Sequence, residues 1–146
     1  MKIAKVLKMK TFGLIALALG LMMSFTATPM VHAQETPGAK AVRVCNNQAP
    51  GSGYYIQRSH ALTRARVYQL YNGSYNCVVT VKIPATTTPT LTWACIKVTG
   101  TDWNCNVGNF KEYAGAVWYY GEGKCVKYEG YHAGTVYQSP WGNCGL

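Results

Sequence analysis

Six cysteines, Cys45, Cys77, Cys95, Cys105, Cys125 and Cys144, carry the chemistry most easily read from this chain. An even number of thiols in a short exported domain oxidises to a disulfide framework. Acid–base chemistry has less material. Downstream of residue 33 the only histidines are His60 and His132. With Glu112 or Glu129, and with Arg58 or Arg66, they could supply the two proton-transfer groups and the cation that a small secreted ribonuclease needs. Nothing in their spacing asks for that enzyme, and Asp102 reads as a turn residue. There is no Cys-x-x-Cys pair, so a zinc site would have to assemble from distant residues. The chain also lacks Gly-x-Ser-x-Gly, a phosphate-binding glycine loop, His-Glu-x-x-His and an EF-hand loop. The reading is a protein without catalytic residues, metal or other cofactor. Stacking is the remaining chemistry. All 11 tyrosines and all four tryptophans lie beyond residue 33, and Trp118 and Trp141 are taken as the candidate surface-binding residues.

The elements that must position these side chains follow an export signal. Lys2, Lys5, Lys8 and Lys10 precede an apolar run from Leu14 to Met23, and Val31-His32-Ala33 has the small residues a signal peptidase reads. Residues 1–33 are therefore expected to be a signal peptide. The run is shorter than the roughly 20 residues that span a bilayer, which argues against an uncleaved anchor. Cleavage leaves 113 residues, enough for one domain with one modest core. It also removes four of the 14 basic side chains and none of the five acids, so the mature net charge is +5. That charge serves solubility and favours anionic partners only mildly. No membrane association is expected after cleavage, no specific nucleic-acid binding is implied, and the oligomeric state is left open.

Residues 34–43 read as a short mobile leader and 44–146 as a single β domain, with a first strand at Ala41 to Cys45 and another at Tyr54 to Gln57. Asn72-Gly73-Ser74 between Arg66–Tyr71 and Cys77–Ile83 marks a hairpin. Pro84 to Thr90, with two prolines and four threonines, interrupts the strands as a loop. Leu91–Thr99 and Trp103–Val107 form a second expected hairpin, Glu112–Tyr120 and Lys124–Tyr128 a third, and Thr135–Gln138 a last short strand. Helical periodicity is confined to a turn near Ser59 to Arg64. The fold class is all-β, a small disulfide-stapled antiparallel sandwich or partly open barrel.

Several strings, in order, carry a resemblance: Ser-His-Ala-Leu-Thr (59–63), Tyr-Asn-Cys-Val-Val-Thr (75–80), Gly-Asn-Phe followed by Tyr-Ala-Gly (108–115), Cys-Val-Lys (125–127) and Cys-Gly (144–145). From about Val44 to Gly145 the chain resembles the spore-associated protein A family, small secreted proteins of filamentous soil bacteria. The resemblance implies a protein of the spore or aerial cell surface with no catalytic residue to carry over. Departures are the loop at Asn46 to Pro50, the aromatic Trp118-Tyr119-Tyr120, and Cys95 with Cys105, an added pair on a four-cysteine pattern.

Cys95 and Cys105 are symmetric about Gly100, so a hairpin would set them face to face, and their joint addition to the family pattern also makes them partners. Three pairings remain for the other four. The favoured one joins Cys45 to Cys144, tying the domain ends, and Cys77 to Cys125. The leading functional expectation is a non-enzymatic surface protein that holds cell-wall or spore-surface polymer through basic and aromatic side chains. A carbohydrate-binding or protease-inhibiting module is the alternative, and a ribonuclease-like toxin the third reading.

Overall fold

Thr36 and Pro37 begin the first element. In the computed structural model, which describes residues 33–145, Thr36 caps a helix α1 (Pro37–Gln48), its Oγ1 accepting from the Ala39 amide at 3.2 Å, and Pro37 occupies the first turn. The expected signal peptide lies outside the described residues, apart from Ala33. The mobile leader of 34–43 and the strand at Ala41 to Cys45 are both corrected by this helix. Ala41, Val44 and Cys45 are spaced to share one helical face, and all three are buried.

Eight strands follow: β1 (Tyr55–Leu62), β2 (Ala65–Tyr71), β3 (Tyr75–Lys82), β4 (Thr90–Val98), β5 (Asn104–Phe110), β6 (Tyr113–Tyr120), β7 (Val126–His132) and β8 (Thr135–Gln138). They form two antiparallel four-stranded sheets, β1-β2-β3-β6 (sheet A) and β5-β4-β7-β8 (sheet B). The architecture is the expected disulfide-stapled sandwich rather than a barrel. Helical turn geometry near Ser59 is not found; that stretch belongs to β1, and the bend falls at Thr63 and Arg64. Among the described residues no helix is long and apolar enough to cross a membrane.

The core between the sheets holds Val67, Val78, Ala114 and Val117 from sheet A against Ala94, Ile96, Val98, Val126 and Tyr128 from sheet B. Sheet A is covered on its other side too. Tyr68, Leu70, Cys77, Val79 and Val81 point away from the core and pack under Ala41, Val44 and Cys45 of α1. That is why β3 reads as an almost unbroken apolar run: both of its faces are buried.

The hairpins β2–β3 and β4–β5 are present, with Tyr71 opposite Asn76 and Cys95 opposite Cys105. The third expected hairpin is not. β6 pairs with β3 in sheet A and β7 with β4 in sheet B, so Gly121 to Cys125 arches from one sheet to the other. Val117 and Val126 can then enter the same core from opposite sides, which a flat hairpin would not allow.

The cystine map also differs. The bonds are Cys45–Cys77, Cys95–Cys105 and Cys125–Cys144. Cys45 belongs to α1, not to a terminal strand, so it reaches β3 beneath the helix and cannot tie the chain ends. Cys125 immediately precedes β7, and the bridge of Val126 to Gly142 brings the tail, with Cys144, to its side. Neither Cys45–Cys144 nor Cys77–Cys125 is formed.

Candidate functional site

The residues with acid–base potential are dispersed and individually engaged. His60, on β1, stacks on Tyr137 of β8 with centroids 3.7 Å apart, joining the edges of the two sheets. His132, at the end of β7, is buried and lies 3.1 Å from Thr92 Oγ1. Burial first, then the charges of Lys82 and Arg64, hold its pKa below the ordinary value. Arg58 is absorbed by structure. Its guanidinium donates to the carbonyl of Val126 at 3.0 Å and to Gln69 Oε1 at 3.2 Å, and lies 5.0 Å from the Tyr128 ring centroid. Gln69 also accepts from Asn143 Nδ2 and donates to Asn76 and Gln57, a buried polar network that closes one end of the sandwich. Glu112 accepts from Lys40 of α1 at 2.8 Å, and Arg66 donates to Ser59. The sandwich does not gather these groups around one point.

The outer face of sheet B is different, because nothing in the described chain covers it. With Ala94, Ile96 and Val98 inside, β4 presents Leu91, Trp93, Cys95 and Lys97 outward. Cross-strand register places Val107, Trp93, Tyr131 and Val136 in one row across all four strands. Val107 is 58% exposed and Val136 57%. Between them Trp93 and Tyr131 stack face to face, centroids 3.9 Å apart and planes within 9°. The row is thus an upright ridge rather than a flat platform.

Glu129 braces it from the next row, accepting from Trp93 Nε1 at 2.7 Å and from Gln138 Nε2 at 3.0 Å. That same row sets Cys95 and Cys105 opposite one another, and beyond it stand Lys97 and Lys127, also cross-strand partners. Trp141 lies with its ring 5.5 Å from Lys127 Nζ. Glu129 is the one carboxylate among the strand residues of this face, and both its oxygens are engaged.

Of the two tryptophans singled out from sequence, Trp141 borders this face and is 44% exposed. Trp118, 36% exposed, follows core residue Val117 on β6 and so points from the outer side of sheet A. The two stand on opposite sides of the sandwich and cannot share a ligand-binding surface. Sequence reasoning missed Trp93, Tyr131 and Val107. Period-two alternation in Leu91–Val98 was the available signal, since Thr92, Ala94, Ile96 and Val98 are inward and Trp93 must oppose them.

At one end of the ridge a cavity of about 370 Å³ opens between the β1–β2 turn, the threonine loop and the start of β4. Arg64, Lys82 and His132 line it together with Thr86, Thr88 and Thr90, and Leu91 and Tyr131 join it to the ridge. Lys82 is buried, and it organises the loop that sequence alone reads only as an interruption. Its ammonium donates to Thr86 Oγ1 and Thr90 Oγ1 at 2.8 Å and to the Phe110 carbonyl at 2.9 Å. His60 does not line this cavity. No group of three or more potential metal ligands occurs among the described residues.

Comparison with protein-family models, with curated proteins and with solved structures finds no match. The fold and the exposed face therefore define the class: a β-sandwich stapled by three disulfides, covered by a helix on one side and open on the other, whose thiols have oxidised as they do outside the reducing cytosol.

Proposed function

We propose that this is a secreted, non-enzymatic protein of a bacterial cell or spore surface that holds an anionic wall polymer against the outer face of sheet B. The observation that supports this most is the uncovered row of Val107, Trp93, Tyr131 and Val136 beside Lys97 and Lys127. Exposed apolar ridges are uncommon on a protein with nothing to bind, and the lysines favour a negatively charged partner. The resemblance to spore-associated proteins supports the location. A flat sugar platform is disfavoured because Trp93 and Tyr131 spend a ring face on each other. An inhibitor loop is disfavoured because the turn braced by Cys95–Cys105 spans only residues 99–103 and is tied down by Thr101 to Val98.

Co-sedimentation with purified cell walls, before and after their anionic polymer is stripped, tests the reading. Retention should require the polymer. Trp93→Ala should weaken it about tenfold or more, the scale of an aromatic anchor. Trp118→Ala, on the far side, should leave it unchanged. Equal retention of the wild-type protein and Trp93→Ala would overturn the proposal.

A further inference from the structure

We propose that the cavity beside the threonine loop is a binding site for a single oxyanionic group, a phosphate or a carboxylate. The cavity brings Lys82 of β3, Arg64 of the β1–β2 turn and His132 of β7 together with three threonines, and no acid lines it. Lys82 is 3% exposed, and every partner its ammonium has is a neutral oxygen. Such oxygens solvate the charge without neutralising it, so a positive field remains in a poorly screened recess. Consistently, burial and then Arg64 hold the Lys82 pKa below the ordinary lysine value.

The donors that would meet the anion are also present. Lys82 spends its three protons on Thr86, Thr90 and the Phe110 carbonyl, so it contributes field rather than a hydrogen bond. Arg64 is exposed, and its guanidinium makes no hydrogen bond or ion pair among the described residues. Thr90 Oγ1 accepts from Lys82 and keeps its own proton to give. A planar guanidinium with a hydroxyl beside it suits the paired oxygens of phosphate or carboxylate. Leu91 and Tyr131 form an apolar lip shared with the ridge, so a charged substituent can enter while the chain that bears it lies on sheet B. This placement of the polymer rests on the function proposed above, whereas the anion site itself stands on the cavity alone.

His132 reports on occupancy. The groups that face it are Lys82 and Arg64, Thr92 Oγ1 and the Leu91 carbonyl, and none is a carboxylate. An anion between Lys82 and Arg64 would offset their field and raise the His132 pKa. Proton NMR of the imidazole during titration of the folded protein with sodium phosphate, glucuronate and glucose tests the site. Saturable shifts and a raised His132 pKa are expected with phosphate or glucuronate, and whichever binds more tightly indicates the source of the anion. Glucose should do nothing. Arg64→Gln should weaken binding about tenfold or more, as loss of a charge-assisted contact does, while Arg66→Gln, on the outer side of β2, should not.

Absence of a saturable shift with both anions, or unchanged affinity in Arg64→Gln, overturns the site. Wall retention lost in Trp93→Ala but intact in Arg64→Gln would retain the ridge and reject the cavity as the place where the polymer's charge enters. Saturable, Arg64-dependent phosphate binding without wall retention would uphold the anion site and overturn the wall-binding function.

Discussion

At Gly130 the two sheets approach too closely for a side chain. A Cβ there would lie 2.5 Å from Val67 Cβ and 2.7 Å from Thr80 Oγ1. Gly130→Ala should therefore push β7 from sheet A and destabilise the fold by about 1–3 kcal/mol, the range for overpacking a filled core. Urea denaturation followed by tryptophan fluorescence measures it. His132 makes a second prediction. Its pKa is lowered in the fold from 6.5, so the unfolded chain takes up its proton at a higher pH than the folded protein does. Stability should be full above about 6.5, fall as pH drops from there toward the depressed folded value, and level off below it with respect to this group. Glu35 and Glu112, whose pKa values are lowered by Arg43 and Lys40 respectively, act in a separate window beneath 4.5. Denaturation midpoints between about pH 4 and 7 should show the upper step in the wild type and not in His132→Asn.

The elements are held by staples of unequal span. Cys45–Cys77 closes 32 residues, Cys125–Cys144 closes 19 and Cys95–Cys105 closes 10. Loop-closure entropy ranks them in that order, with about 3–4 kcal/mol for the longest. Replacing Cys45 and Cys77 together by Ala should cost most, because it also unpins α1 from the apolar outer face of sheet A. That double variant should bind more of a hydrophobic dye than one lacking Cys95 and Cys105, and non-reducing peptide mapping should recover the three bonds named. Little of α1 was legible beforehand. Thr36-Pro37 and the spacing of Ala41, Val44 and Cys45 were helix signals, but β-branched Val42 and Val44 suit a strand as well. Only the sheet beneath the helix makes its buried face useful.

For the molecule as a whole, the proposed wall binding joins the basic balance beyond residue 33 to the uncovered face of sheet B. Retention on anionic wall polymer should weaken as salt rises, since exposed lysines are screened beyond a Debye length of roughly 8 Å at physiological ionic strength. It should not vanish, because the contact proposed for Trp93 and Tyr131 is apolar. A salt titration comparing the wild type with Lys97→Gln/Lys127→Gln separates the two parts: the double variant should lose the salt-dependent portion and keep the rest. The opposite placement of Trp118 and Trp141 follows from the same architecture, for a sandwich has two outward faces and here one of them carries a helix.

What the sequence determined was local. Apolar, β-forming runs between turn residues, the Asn-Gly turn and the symmetry of Cys95 and Cys105 about Gly100 were enough for two hairpins, one disulfide and an all-β class, because each depends on residues a few positions apart. Tertiary structure decided everything that required a choice of partner. β6 left β7 for β3, Cys45 found Cys77 rather than Cys144, Arg58 entered a buried network, and Lys82 met Arg64 and His132 across three elements. The physical reason is shared. Backbone pairing energy is nearly the same for any two strands, so partners are selected by which arrangement buries Val117 and Val126 in one core and Val79 and Val81 under α1, and that sum over the whole chain is not written in any one segment of it.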